Sequence, residues 1–274
     1  MSERFASMFE RLTARNEAAF VPFVTLGDPS AEVSLDILRT LAGSGADALE
    51  LGIPFSDPCA DGPVIQQANK RSLTAGSTTD RCLELIARVR EECGQLPISV
   101  LVYANLVRAR GLERFYADAA ASGVDAVLVP DVPLALISHP GADFRQAARA
   151  HGISPVLIAP PNATPQRLAD IARTGEGYTY VVSRYGITGD AQRAGAPREV
   201  IARLHACHAP PCLLGFGISE VSDVRHAIEE GDADGVIIGS RIVRMVGEQA
   251  GEPAQLLSAI ADYVRTMKAA TIRC

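Results

Sequence analysis

The chain has 274 residues, enough for one large domain with a substantial core, and its 47% hydrophobic and 21% charged residues are the balance of a folded globular protein. A net charge of −6 argues against a nucleic-acid binder, which would present a basic face. No apolar run approaches bilayer length, and the first twenty residues carry both charge signs without an apolar stretch, so neither a membrane span nor a secretory signal is expected and the cytoplasm is the expected location.

In chain order, Met1 to Ala19 reads as a helix ahead of the first strand. Eight near-continuous apolar runs follow: Phe20 to Leu26, Ala48 to Ile53, Ile98 to Ala104, Ala126 to Val129, Pro155 to Ala159, Tyr178 to Ser183, Cys212 to Phe216 and Gly235 to Ile238. Runs of this kind suit strands buried on both faces. Between them lie segments such as Ser34 to Leu41 and Val221 to Glu230, with apolar residues at helical spacing. Leu256 to Met267 reads as a closing helix. Eight βα units permit a doubly wound open sheet or a closed barrel. The open sheet commonly announces GxGxxG after its first strand, and none follows Leu26, so a single (β/α)8 barrel over residues 1–274 is expected.

Barrels of this type build their sites at the C-terminal ends of the strands. The second run carries Glu50 in Ala48-Leu-Glu-Leu-Gly-Ile53, where a carboxylate is costly to bury unless paired or protonated. It is either a structural residue satisfied by a neighbour or a chemical group. The next loop, Phe55-Ser-Asp-Pro-Cys-Ala-Asp-Gly-Pro63, brings Asp57 and Asp61, which read equally as turn or cap residues. Two carboxylates on that face suit a reaction that both donates and removes protons. After the sixth run, Ser183 to Ala191 has the glycines of a lid or of an ordinary surface loop. The seventh and eighth runs lead into Gly215-Phe-Gly-Ile-Ser219 and Gly239-Ser240, small residues at the place where barrels bind phosphate through backbone N–H groups and a helix N-terminus.

The chain has two lysines, Lys70 and Lys268, and neither ends a strand, so a Schiff-base aldolase is not expected. Six scattered cysteines without a CxxC pair read as free thiols. His205 and His208 are three apart, but no third ligand is near them in sequence, so a surface helix is the better reading and no metal is expected.

Taken together the motifs resemble the tryptophan synthase α subunit family. Leu49-Glu-Leu-Gly-Ile-Pro-Phe-Ser-Asp-Pro-Cys-Ala-Asp-Gly-Pro63 is its most diagnostic match, preceded by Phe20 to Pro29. Tyr103-Ala-Asn105, Asp131-Val-Pro133, Pro160-Pro-Asn162, Gly215 to Ser219 and Gly239-Ser240 follow in the family's order, so the likeness spans nearly the whole chain. The resemblance implies retro-aldol cleavage of indole-3-glycerol phosphate to indole and glyceraldehyde 3-phosphate, a lyase step of tryptophan biosynthesis. It implies Glu50 as the acid–base group and Asp61 as the partner of the indole N–H. Phe23 and Leu101 would line the indole pocket, with Tyr103 and Tyr180 beside the glycerol and Thr188 reaching from the lid towards Asp61. Gly189, Phe216, Gly217, Gly239 and Ser240 would cradle the phosphate. It further implies a β-subunit partner in an α2β2 heterotetramer, facing Pro54, Phe55, Asp57, Asn105 and Pro133, with pyridoxal phosphate on that partner and no cofactor in this chain.

Three places depart from the family pattern. Leu134 to Asp143 is longer and more apolar than the usual acidic stretch, Cys59 stands for an aliphatic residue, and Tyr185 is bulky for the lid. The first raises a stand-alone lyase as the alternative to a synthase subunit. None touches Glu50 or Asp61.

Overall fold

The computed structural model describes residues 2–139, 142–182 and 197–273. Helix α1 (Glu3–Ala14) precedes β1 (Ala19–Thr25), α2 (Ala31–Gly43) and β2 (Leu49–Gly52). Helices α3 (Pro63–Thr74) and α4 (Thr79–Glu92) lead to β3 (Ile98–Leu101), α5 (Ala104–Arg110), α6 (Leu112–Ala121) and β4 (Ala126–Leu128). A two-stranded hairpin, β5 (Ser138–His139) and β6 (Ala142–Asp143), precedes α7 (Phe144–Ala150), β7 (Ser154–Ala159), α8 (Pro165–Thr174) and β8 (Thr179–Val182). The remainder is α9 (Pro197–Ala206), β9 (Cys212–Gly215), α10 (Val221–Arg225) with a π-helical turn over His226–Glu230, β10 (Gly235–Ile238), α11 (Ser240–Glu248) and α12 (Pro253–Ala269).

Strands β1, β2, β3, β4, β7, β8, β9 and β10 pair in parallel, and β10 returns to β1 to close an eight-stranded barrel. All eight expected runs form its staves. The first, second, fourth and seventh end one residue earlier than the apolar pattern, the fifth and eighth end with it, and the third ends three earlier. There Asp131 Oδ1 accepts the Ala104 N–H at 2.9 Å, so Tyr103 becomes the cap of α5 instead of strand. Helix starts follow local chemistry. Ser30, Thr78 and Thr164 accept the N–H groups of Val33, Arg81 and Arg167, and Pro63 and Pro165 occupy first-turn positions where no donor is needed.

Side-chain alternation divides the core in two. Phe20, Val24, Leu49, Leu51, Val100, Val127, Val181, Leu214 and Val236 face the helical ring. Val21, Phe23, Leu128, Val156, Tyr178, Tyr180, Leu213 and Ile237 fill the lumen. Phe5, Met8 and Leu12 of α1 belong to this inner cluster, so the first helix stoppers the N-terminal end of the barrel.

That end is also pinned by a repeated device. Asp47, Asp125 and Asp234, each just ahead of a strand, accept the N–H of Phe20, Ile98 and Cys212 at 2.8, 2.9 and 2.7 Å at the start of the neighbouring strand. Lys268 and Arg90 neutralise the first two. The N-terminal face therefore carries framework, and the opposite mouth is left for chemistry.

Candidate active site

Glu50 sits in the middle of β2, level with Phe23 on β1 and Ser99 on β3, and its side chain enters the lumen. It is 1% exposed. From the opposite wall the Tyr178 hydroxyl lies 2.6 Å from Glu50 Oε1 and 2.9 Å from Ser99 Oγ, so the carboxyl is held by one short bond inside the largely apolar lumen. Burial pushes its pKa up to about 7, and the Tyr178 bond pulls less strongly the other way. A carboxyl so tuned is half protonated near neutrality and can give a proton or take one.

Asp61 reaches the same mouth from the loop between β2 and α3. Turn bonds from Cys59 N–H to Asp57 O (2.8 Å) and Asp61 N–H to Pro58 O (3.0 Å) shape that loop. The Ala60 N–H donates to the Tyr103 hydroxyl at 3.0 Å, and the Tyr103 ring stacks on Phe55 at 5.1 Å. Partial burial raises the Asp61 carboxyl to about 6, with the Tyr103 hydroxyl and the Asn69 amide favouring the ionised form. Burial thus raises both carboxyl groups above the ordinary carboxylate range, and Tyr180 senses the charge of each, the kind of clustering that marks functional sites.

The rest of the expected mouth is assembled around them. Phe23, Tyr180 and, half-buried, Leu101 line the lumen. Tyr103 is drawn towards the Asp61 loop by its bond to Ala60, whereas the resemblance assigns it to the glycerol side. Phe216 is 52% exposed, meets Tyr180 edge-on at 6.0 Å, and holds a left-handed φ of 69° beside Gly217 at 77°. An aromatic residue in that region stores strain of about 1–3 kcal/mol, as loops at functional sites often do. Gly239, which has no side chain with which to cap, precedes α11, so among the described residues the cap position leaves the first-turn N–H groups of Ser240 and its successors suited to meeting an anion.

Gly215 is required by its neighbour: a Cβ there would stand 2.3 Å from Tyr180 Oη and 2.5 Å from Cζ. Gly215→Ala is therefore expected to displace the Tyr180 ring and lower stability by about 1–3 kcal/mol, read as a drop in denaturation midpoint. An unchanged midpoint would mean that Tyr180 swings aside freely.

Thr188 and Gly189, with the whole expected lid, lie outside the described residues. Of the five positions resembling a partner-facing surface, Asp57, Asn105 and Pro133 are not buried, Phe55 is half-buried and Pro54 is buried. The longer segment after β4 forms a short helical turn at Leu134–Leu136 and the β5–β6 hairpin, with Leu136 48% exposed.

Sequence reasoning misses Tyr178, Ser99 and Asn69. Tyr178 is two residues before Tyr180, so strand alternation places both in the lumen, a signal that could have found it. His205 does acquire ligand-type neighbours, Cys212 and Asp234, from other elements, whereas His208 lies beyond the end of α9. Asp234 Oδ2 already accepts the Cys212 N–H and stands 3.0 Å from His205 Nε2 at the framework end of the barrel, so this cluster is a tie between α9, β9 and β10.

A family model described as tryptophan synthase alpha chain matches residues 9–272. The tryptophan synthase alpha chain of Shewanella oneidensis is 53% identical over 271 residues, 98% of this chain and 96% of that one. That of Cronobacter sakazakii is 52% identical over 271 residues, 98% of this chain and 99% of the other. Among solved structures, tryptophan synthase subunit alpha from Legionella pneumophila superposes with a TM-score of 0.88 at 28% identity, covering 99% of this chain and 98% of that one. A chain of Mycobacterium tuberculosis tryptophan synthase does so at 0.87 and 26% identity over all of both chains.

Proposed function

We propose, from the premise that this chain belongs to the tryptophan synthase alpha chain family, that Glu50 and Asp61 are the groups with which it performs the family's reaction. The enzyme is a carbon–carbon lyase of tryptophan biosynthesis that splits indole-3-glycerol phosphate into indole and glyceraldehyde 3-phosphate. The observation that carries the residue assignment is the Glu50 carboxyl buried in the barrel lumen against the Tyr178 hydroxyl, with Tyr180 sensing the charge of both Glu50 and Asp61.

In this reading the protonated Glu50 delivers its proton to indole C3, and the ring nitrogen takes up positive charge. Ionised Asp61 accepts a hydrogen bond from that N–H and stabilises the charge where it develops. The bond from C3 to the glycerol chain then breaks, its electron pair returning to the ring and neutralising the nitrogen. The adjacent glycerol hydroxyl loses its proton to the now ionised Glu50 and becomes the aldehyde. One proton is given and one recovered, so the carboxyl ends as it began.

Phe23 and Leu101 supply apolar walls for the indole, and Tyr180 closes the side facing the phosphate loops. The phosphate rests on the uncapped start of α11 at Gly239 and Ser240 and on the Phe216–Gly217 turn, with Gly189 and Thr188 expected to complete the enclosure. Pyridoxal phosphate belongs to the β partner, where it supplies the chemistry that joins indole to serine; this chain contributes no residue to it. The family name implies a β-subunit partner. An α2β2 assembly, a cytoplasmic location and a single domain over residues 1–274 complete the proposal, and no helix among the described residues is long and apolar enough to cross a membrane.

Indole release from indole-3-glycerol phosphate by the purified chain, alone and with a β subunit, tests the reading. Slow release that rises strongly with the partner is expected. Fast release that a β subunit leaves unchanged would instead make this a stand-alone lyase, the version suggested by the longer segment with exposed Leu136. No release under either condition would overturn the assignment.

A further inference from the structure

The loop that presents Asp61 is held by a residue that sequence gives no reason to notice. Asn69 lies two turns into α3 and is 4% exposed. Its Oδ1 accepts the Phe55 N–H at 3.1 Å, where the loop leaves β2. Its Nδ2 donates to Asp61 Oδ2 at 3.2 Å, where the loop enters α3, and to the Ile65 carbonyl at 3.0 Å. One buried amide therefore grips both ends of the loop. Only a carboxamide fits: the Phe55 end needs an acceptor, and the Asp61 and Ile65 ends need donors. An aspartate would set a second carboxylate against Asp61, and an aliphatic side chain would leave the Phe55 N–H unpaired.

We propose that Asn69 is the positioning residue for Asp61, fixing the loop so that the carboxylate faces the reacting indole nitrogen. This rests on the proposed role of Asp61. The alternative is a helix residue that merely satisfies local backbone groups, since the bonds to Phe55 and Ile65 would serve that purpose without the third. The third is the one that reaches the chemistry. The Tyr103 hydroxyl, which accepts the Ala60 N–H and also hydrogen-bonds Asp61, is a second support of the loop from a different element. The titratable groups facing Asp61 are Tyr103, which hydrogen-bonds it, and Tyr180, which senses its charge.

The test is a double-mutant cycle with indole release as readout. Asn69→Ala in the wild-type background is expected to lower kcat by about ten- to a hundredfold, the scale of loss when a catalytic group is misplaced. KM should change less, because the phosphate contacts are untouched. In an Asp61→Asn background the same change should alter kcat by less than about twofold, since the group it positions has gone. Asn69→Asp, equal in size and retaining the acceptor for Phe55, should shift the acid limb of the pH profile upward by about one pH unit or more, as a like charge disfavours ionised Asp61. That variant also carries the test if Asn69→Ala fails to fold, which thermal melting would reveal. Equal losses in both backgrounds, or an unmoved acid limb, would overturn the proposal while leaving Asp61 in place. Full activity of Asp61→Asn alone would overturn the reading on which it rests, and the proposal with it.

Discussion

Glu50→Gln is expected to lower indole release by about a thousandfold while the protein becomes more stable above neutral pH. The first effect follows from removing the one group able both to protonate C3 and to receive the hydroxyl proton; positioned acid–base groups contribute on the order of 10²–10⁴ in rate. Glutamine keeps the shape and can still accept from Tyr178, so the loss would report chemistry and not collapse. The second effect follows from linkage. The Glu50 carboxyl titrates at about 7 in the folded protein against an ordinary 4.5, because burial disfavours its ionised form. Its favourable contribution is complete below about 4.5 and is lost as pH rises through about 7. Glutamine never ionises, so above that pH the variant should exceed wild type by about 1–3 kcal/mol, seen as a higher denaturant midpoint at about pH 8 and little gain at about pH 5. Near-normal turnover, or a stability gain confined to acid, would contradict the assignment.

Asp61→Asn is expected to be nearly as damaging in rate, about 10²- to 10³-fold, for a different reason. Asparagine still offers an oxygen to the indole N–H, but it brings no charge to the place where positive charge develops, and removing one preorganised electrostatic partner has an effect of that size. The two carboxyls also predict the pH profile of kcat/KM for the free enzyme. Asp61 must be ionised, so activity falls below about 6; Glu50 must be protonated, so it falls above about 7. Asp61→Asn should erase the acid limb and keep the alkaline one. A residual profile that retains the acid limb would assign that limb to another group.

Much of this arrangement is legible in the amino-acid sequence, and what is legible has a common cause. Parallel staves are buried on both faces, so each reads as an unbroken apolar run, and Glu50 stands out because it interrupts one. The loops after the seventh and eighth runs are readable because close backbone approach demands small residues. What stays hidden depends on orientation. Tyr178 looks like any core aromatic until its hydroxyl is seen to meet a carboxyl from the opposite wall. Asn69 looks like a surface position on a polar helix until α3 is rolled with Ile65 and Ala68 towards the lumen. Pro54 is a partner-facing position by resemblance, yet it is buried just past the last hydrogen bonds of its strand. The segment after β4 stands out by length and composition, but a hairpin of two-residue strands is too short for periodicity to reveal.

The stopper helix has a consequence for how variants of this enzyme should be interpreted. Phe5 packs against the Tyr178 ring at 5.4 Å, and Tyr178 holds Glu50, so a residue near the start of the chain and at the closed end of the barrel is two contacts from the reacting proton. Trimming α1 or loosening it with a bulky appendage would admit water beneath Glu50 and lower its proton affinity, moving the working pH of a mouth that the change never touches. In a mutational screen, hits in the first helix would then sort with active-site hits, and distance from the substrate would misfile them as damage to folding.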